Sequence, residues 1–219
     1  MTTFALHNYW RSSASQRVRT GLHLKGLAFE YVTVNIVTND QFGDAYRVLN
    51  PHPQVPTLVI TESDGTTRVL TQSLAILEYL DERFSGPEYV PLLPRDAYLR
   101  ARARSLAELV NSGIQPHQNL STTRKVSEVG GDASTWPRSF IAEGLASYDR
   151  ACADVAGTFS VGDAPTLADL CLIPQLFSAR RFKVPLEAHP RLVAIEAACL
   201  ALPAFAKSVP DQQPDAVPA

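Results

Sequence analysis

At 219 residues, 45% of them hydrophobic, the chain can bury one large core or two small ones. Its 20 basic and 22 acidic residues leave a net charge of −2, which excludes a global electrostatic pull toward nucleic acid or an anionic membrane, so any anionic ligand has to be met by individual arginines. The opening MTTFALHNYW lacks a basic segment ahead of an apolar run, and no stretch reaches the roughly 18 uninterrupted apolar residues of a membrane span; a non-exported, cytoplasmic protein is expected.

Phe4–Asn8 reads as a short strand. Ser15–Lys25 follows as a helix, with Val18, Leu22 and Leu24 at near-helical spacing and Gly26 as its stop. Strand then helix opens a βαβ unit. Phe29–Val34 is β-branched and aromatic, Asp40–Leu49 is helical in period, and Thr57–Ile60 with Val69–Leu70 flank a Ser-Asp-Gly turn that makes a hairpin. Ser73–Phe84 closes the series as an amphipathic helix. The order β-α-β-α-β-β-α, parallel at its start and antiparallel at its end, is an α/β thioredoxin-like arrangement over residues 1–85.

Pro87, Pro91 and Pro94 punctuate a linker over 86–95, after which the strand signals vanish. Residues 96–219 read as an all-α domain with helices at Tyr98–Asn111, Ser134–Asp154, Leu167–Ser178 and Leu192–Leu200, then a short terminal piece and a Pro-rich tail expected to fray. Thr166 with Asp169 three residues on forms a capping box, a structural device. Cys152, Cys171 and Cys199 lack CxxC spacing and sit in apolar, alanine-rich surroundings, so buried thiols are expected, with no metal site.

Three loop ends of the first domain carry groups suited to a short anionic peptide. The run Trp10–Arg17 (WRSSASQR) sits between the first strand and first helix, where hydroxyls and unpaired amides favour an anion; Ser15 could equally be only the helix cap. Asn50–Leu58 (NPHPQVPTL) enters a strand through Pro56. A cis Val55–Pro56 bond would leave the main chain of Val55 able to pair with an extended peptide, and a plain rigid turn is the alternative. Gln72–Ser73 opens the last helix of the domain and could hold a carboxylate or simply cap it.

The runs RSSASQRVR (Arg11–Arg19), NPHPQVPTL (Asn50–Leu58), TQSLAILEYL (Thr71–Leu80), SGIQPHQNL (Ser112–Leu120) and TLADLCLIPQLFSARRF (Thr166–Phe182) resemble those of zeta-class glutathione transferases, the family of maleylacetoacetate isomerase. The resemblance extends in order from Phe4 to about Phe205. It implies a glutathione transferase fold, glutathione as cofactor, a small dicarboxylic or keto-acid substrate and a homodimer. It also implies a glutathione-dependent cis-trans isomerase, converting maleylacetoacetate to fumarylacetoacetate in aromatic amino acid catabolism by reversible thiolate addition, with transferase activity besides.

Site residues follow from the same resemblance. Ser12 would hydrogen-bond the thiolate, with Ser13 and Arg11 beside it as catalytic candidates. The glutathione site would draw on Ser12, Ser13, Ala14, Ser15, Gln16 and Arg17 of the first loop and helix, Gln41 and Val55 on the peptide backbone, and Gln72 and Ser73 at the γ-glutamyl end. Gln115, Asn119, Leu120 and Ser121 of the helical domain would line the same cleft, and Arg11 and Arg180 would grip the substrate's carboxylates, as a planar guanidinium can with two bonds. Either arginine could instead be a salt-bridge residue.

One departure bears on substrate choice. The family loop usually reads Ser-Ser-Cys, and this chain has Ala14 where the cysteine would stand. Maleylpyruvate isomerase activity is therefore an alternative, as are conjugation or dehalogenation of small electrophilic acids; a non-catalytic interaction scaffold disagrees with the presence of Ser12, Gln72 and Ser73. A thioredoxin-type oxidoreductase lacks its CxxC pair here.

Overall fold

The computed structural model describes residues 1–217. In chain order its elements are β1 (Thr3–Asn8), α1 (Ser13–Leu24), β2 (Glu30–Thr33), α2 (Asp44–Leu49), β3 (Thr57–Thr61), β4 (Thr67–Thr71) and α3 (Ser73–Arg83). The helices α4 (Ala97–Gly113), α5 (Gln115–Gln118), α6 (Leu120–Glu128), α7 (Thr135–Cys152), α8 (Leu167–Arg181), α9 (Pro190–Leu200) and α10 (Pro203–Ala206) follow. They fall into two compact units: Met1–Leu92 joined by the described residues from Pro203 onward, and Leu93–Leu202.

The first unit is built on a four-stranded sheet of order β2-β1-β3-β4. β1 and β2 run parallel, while β1 with β3 and β3 with β4 are antiparallel. The register places Leu6 against Leu58 and Leu58 against Leu70. Alternation along β1 sends Phe4 and Leu6 to a common face with Leu58 and Ile60, where they meet Val18 and Leu22 of α1 and Ile76 and Leu80 of α3. Burying each such side chain favours the fold by about 1.5–3 kcal/mol. A second apolar cluster gathers Tyr9, Trp10, Val34, Tyr46 and Val55. Gly26 ends α1 at φ +65° and Gly65 turns the β3–β4 hairpin at φ +85°, a backbone region glycine enters at little cost.

The second unit centres on α8. Every residue from Leu167 to Ala179 except Phe177 is buried, as expected of a helix apolar around its whole circumference. It packs against α4, whose Ala103, Leu106, Ala107 and Val110 are buried, and α7, which buries Ile141, Leu145, Tyr148 and Cys152. The capping box forms as read: Ala168 N–H donates to Thr166 Oγ1 at 3.3 Å, and Asp169 Oδ2 accepts from Thr166 N at 2.8 Å. Asp169 Oδ1 also takes the Ser160 amide at 2.8 Å. Cys152, Cys171 and Cys199 are buried and outside any disulfide.

The structure departs from the sequence reading in four places. Residues 40–49 are not one helix: a 3-10 turn over Asp40–Phe42 is separated from α2 by Gly43 in extended conformation (φ −64°, ψ 146°). α5 and α6 lie in a stretch read as connection. α6 buries no side chain and is rich in Ser and Thr, which propensity favours only weakly in a helix. α1 starts two residues earlier than read, with Ser12 and not Ser15 as its cap. Finally, the tail through Ala216 is held: Trp10 N–H donates to Asp215 Oδ2 at 3.1 Å, and Ala216 packs on the Tyr9–Val55 cluster. Residues 210–217 thus associate with the first unit; 218–219 lie outside the described residues.

Candidate functional site

Ser12 occupies the N-cap of α1 with extended backbone (φ −73°, ψ 118°), and its Oγ accepts from Ser15 N at 3.2 Å. A serine hydroxyl has two lone pairs and one proton, so this cap consumes a lone pair and leaves the O–H able to donate outward. No acidic residue lies in the first turn of α1, so the partial positive charge of the helix N-terminus is not neutralised by a side chain of its own turn. Ser12 N–H donates to Tyr9 O at 3.0 Å, closing the turn that presents it. Ser13, Ala14 and Arg11 are half-buried alongside, and the Arg11 guanidinium lies 5.2 Å from the Trp10 ring centre. Ser15, Gln16 and Arg17, by contrast, point into protein: each is almost wholly buried.

Arg17 links two of the three loop ends. Its Nη1 donates to Ser73 Oγ at 3.2 Å, bringing the start of α3 against α1. Gln72, the residue before α3, has φ +69° and ψ 114°, a conformation non-glycine residues rarely adopt and one that recurs at functional sites. Its side chain makes no cap bond and is exposed, while Ser73 is buried.

The Val55–Pro56 bond is cis. Val55 precedes the first paired residue of β3, Thr57, so it stands outside the sheet register. Its loop is braced from inside. Gln54 O accepts from Tyr46 Oη at 2.6 Å and from Asn50 Nδ2 at 2.8 Å, and Tyr46 Oη also meets Thr57 Oγ1 at 2.8 Å. Burial pushes the Tyr46 phenol up, which keeps it a neutral donor. Neither Tyr46 nor Asn50 stood out in the sequence; the hydrophobic position of Tyr46 in a helical period masked its hydroxyl. Gln41, in the 3-10 turn, is 7% exposed, and its buried Oε1 lacks a hydrogen-bond donor among the described residues. An orphan buried acceptor is costly unless a ligand supplies the donor.

The remaining predicted residues belong to the second unit. Gln115 begins α5, Asn119 caps α6 through its main chain, and Leu120 and Ser121 start α6 exposed. Behind them Gln118 and Gln175 exchange reciprocal amide bonds at 3.2 and 3.1 Å inside the unit. Arg180, in the last turn of α8, holds Glu196 of α9 with both arms of its fork, Nη1 to Oε1 at 2.6 Å and Nη2 to Oε2. That partner raises the guanidinium's proton affinity still further. Arg181 lies 4.4 Å from the Phe182 ring centre. A cavity of about 260 Å³ between α4 and α7, lined by Leu109, Ile114, Phe140 and Glu143 among others, contains none of the residues singled out from sequence.

Residues 11–83 match the family of the glutathione S-transferase N-terminal domain. The chain is 43% identical over 212 residues to a maleylacetoacetate isomerase of Rattus norvegicus, covering 96% of this chain and 94% of that one. The crystal structure of a maleylacetoacetate isomerase from Anaeromyxobacter dehalogenans with glutathione bound in its active site is 51% identical, with a TM-score of 0.89 and 99% of each chain covered. A bacterial maleylpyruvate isomerase, a glutathione transferase of the zeta class, has the same TM-score at 38% identity, covering 97% of this chain and 100% of its own.

Proposed function

Because this chain belongs to the zeta-class glutathione transferases, the family of maleylacetoacetate isomerase, we propose that it is a glutathione-dependent cis-trans isomerase of maleylacetoacetate. The observation that carries this reading is Ser12, a helix cap whose hydroxyl proton is left to donate at a helix N-terminus without an acid of its own. Bound glutathione would supply a thiolate that adds to the substrate's activated double bond, frees it to rotate and leaves again.

The chain's own residues do the rest. The Ser12 O–H and the N-terminus of α1 favour the charged sulfur over the thiol, whose reference pKa is about 8.5. Depressing that value by about two units takes roughly 2.7 kcal/mol of differential interaction, within reach of one charge-assisted hydrogen bond and a helix terminus together. Gln41 Oε1, buried and lacking a donor among the described residues, suits a peptide N–H, and the main chain of Val55 suits an extended peptide strand. Gln72, Ser73 and the buried charge of Arg17 suit a γ-glutamyl end with its amine and carboxylate. Arg11 is the substrate-facing cation, while Arg180 can share a carboxylate only in competition with Glu196. Gln115, Asn119, Leu120 and Ser121 are assigned to glutathione binding on the resemblance.

Maleylpyruvate is the second substrate, favoured by Ala14 in place of the loop cysteine and by the likeness to the maleylpyruvate isomerase. We assign the enzyme to the cytoplasm, to aromatic catabolism and to a homodimer on the family resemblance; no helix among the described residues is long and apolar enough to cross a membrane. The test follows the ultraviolet change of each substrate separately, with and without glutathione. Conversion to the fumaryl isomer that needs glutathione and consumes no thiol establishes the reading and picks the substrate. Thiol loss in step with product replaces it with conjugation, and no conversion of either overturns it.

A further inference from the structure

The tail that returns to the first unit converges on one dipeptide. Asp215 Oδ2 accepts the Trp10 amide at 3.1 Å, and its Oδ1 accepts the Tyr31 hydroxyl. Arg19, fully buried, donates from Nη2 to Trp10 O at 2.9 Å and to Ser208 O at 3.2 Å, and from Nη1 to Asn8 Oδ1 at 2.8 Å and Tyr9 O at 3.3 Å. The N–H and C=O of Trp10 are thus both taken by charged side chains, and charge-assisted bonds are the stronger kind. Tyr9 O is the same carbonyl that receives the Ser12 amide at 3.0 Å.

Ala216 adds an apolar contact to the cluster holding Tyr9, Trp10 and Val55. The tail is itself tied, Gln213 Nε2 donating to Lys207 O and Val209 O at 2.8 Å each. Desolvation lowers the Arg19 pKa to about 10, and the nearby Asp215 carboxylate opposes the drop, so the guanidinium remains charged at neutral pH. A tail serving only to cover apolar surface would not need a buried guanidinium and a carboxylate aimed at the main chain two residues before Ser12.

We propose that the C-terminal tail is part of the catalytic apparatus, with Asp215 a positioning residue that works with Arg19 to clamp the Tyr9–Trp10 main chain and so fix where Arg11 and Ser12 point. It rests on the assignment of Ser12 to the thiolate. Positioning acts on turnover more than on glutathione affinity, because a misplaced donor is felt where charge must be held.

The test uses the full chain and three variants, Asp215→Ala, Asp215→Asn and Tyr31→Phe, read by hydrogen exchange of segment 9–13 and by kinetics. For Asp215→Ala, exchange in that segment is expected to rise about tenfold or more over the rest of the unit. Its kcat for isomerisation is expected to fall about 5–20-fold with KM for glutathione within about threefold. Asp215→Asn, which keeps an acceptor for Trp10 N–H, falls between wild type and Asp215→Ala. Should Asp215→Ala not fold, Tyr31→Phe, which keeps the carboxylate and frees its orientation, carries the same two readouts.

Exchange in segment 9–13 rising no more than elsewhere, or rising while kcat stays at the wild-type value, overturns the clamp. A wild type without isomerase activity removes the functional reading but leaves the exchange readout to decide the clamp on its own.

Discussion

Ser12 carries two jobs that a substitution can separate. Removing its oxygen in Ser12→Ala deletes both the cap to Ser15 N and the outward donor. Loss of the cap is expected to cost about 1 kcal/mol of stability. Loss of the donor is expected to lower kcat about 10²-fold with glutathione affinity little changed. Ser12→Thr, which keeps the hydroxyl, should restore most of both, and steady-state kinetics beside a thermal melt read the two effects apart. Kinetics unchanged in Ser12→Ala would move the thiolate role to Ser13 or to the amides of the first turn. At this scale the sequence offered a serine cluster at the start of α1, with Ser15 as the residue that could be only its cap. The structure makes Ser12 the cap, because the choice depends on where the chain leaves β1, set by the Ser12 N–H to Tyr9 O turn.

Elements were legible by period or by composition. β1, β3, α1, α3, α4, α7 and α9 each bury a stripe or face and α8 nearly its whole circumference, whereas β2 and β4 bury no residue and were read from their β-branched and aromatic content and the turn between β3 and β4; the capping box at Thr166 and Asp169 forms where the spacing places it. α5 and α6 were not legible: α6 buries no side chain, and α5 is four residues long and buries only Gln118, whose amide partner Gln175 lies 57 positions away. The cap at α8 gives the prediction for this scale. Asp169 is fully buried and accepts two backbone amides, from Thr166 and Ser160. Asp169→Ala strands both, and is expected to cost about 3 kcal/mol, lowering Tm by roughly 6–12 °C for a chain of this size. A melt within about 2 °C of wild type would mean that neither amide depends on the carboxylate.

Over the whole molecule, the pH dependence of stability is set in part by two histidines of the first unit. Burial lowers the pKa of His23, with Lys207 and Arg19 adding to it, and burial lowers that of His7 against the opposing charge of Glu30. A histidine whose folded pKa lies below the unfolded value of about 6.5 binds its proton more readily when unfolded. Its contribution to stability is therefore present above about pH 6.5 and is lost as pH falls below that value. Thermal melts from pH 7.5 to 5.5 are expected to fall, by at most about 1.4 kcal/mol per pH unit for each histidine, and His23→Gln should flatten the slope. An equal slope in His23→Gln would assign the loss to other groups.

The sequence by itself determined the α/β start and helical remainder, the parallel start and antiparallel end of the sheet, the cap of α8 and the three loop ends with their serines, arginine and proline, because each is written in a local period, a turn residue or a short motif. The tertiary structure alone decided what meets over long separations. Asp215 reaches Trp10 across 205 positions, Arg17 reaches Ser73 across 56, and Arg180 closes on Glu196 from a different helix. A charged side chain has no period of its own. Its partner is chosen by which buried polar group the fold leaves within reach, and that is known only once the chain has packed.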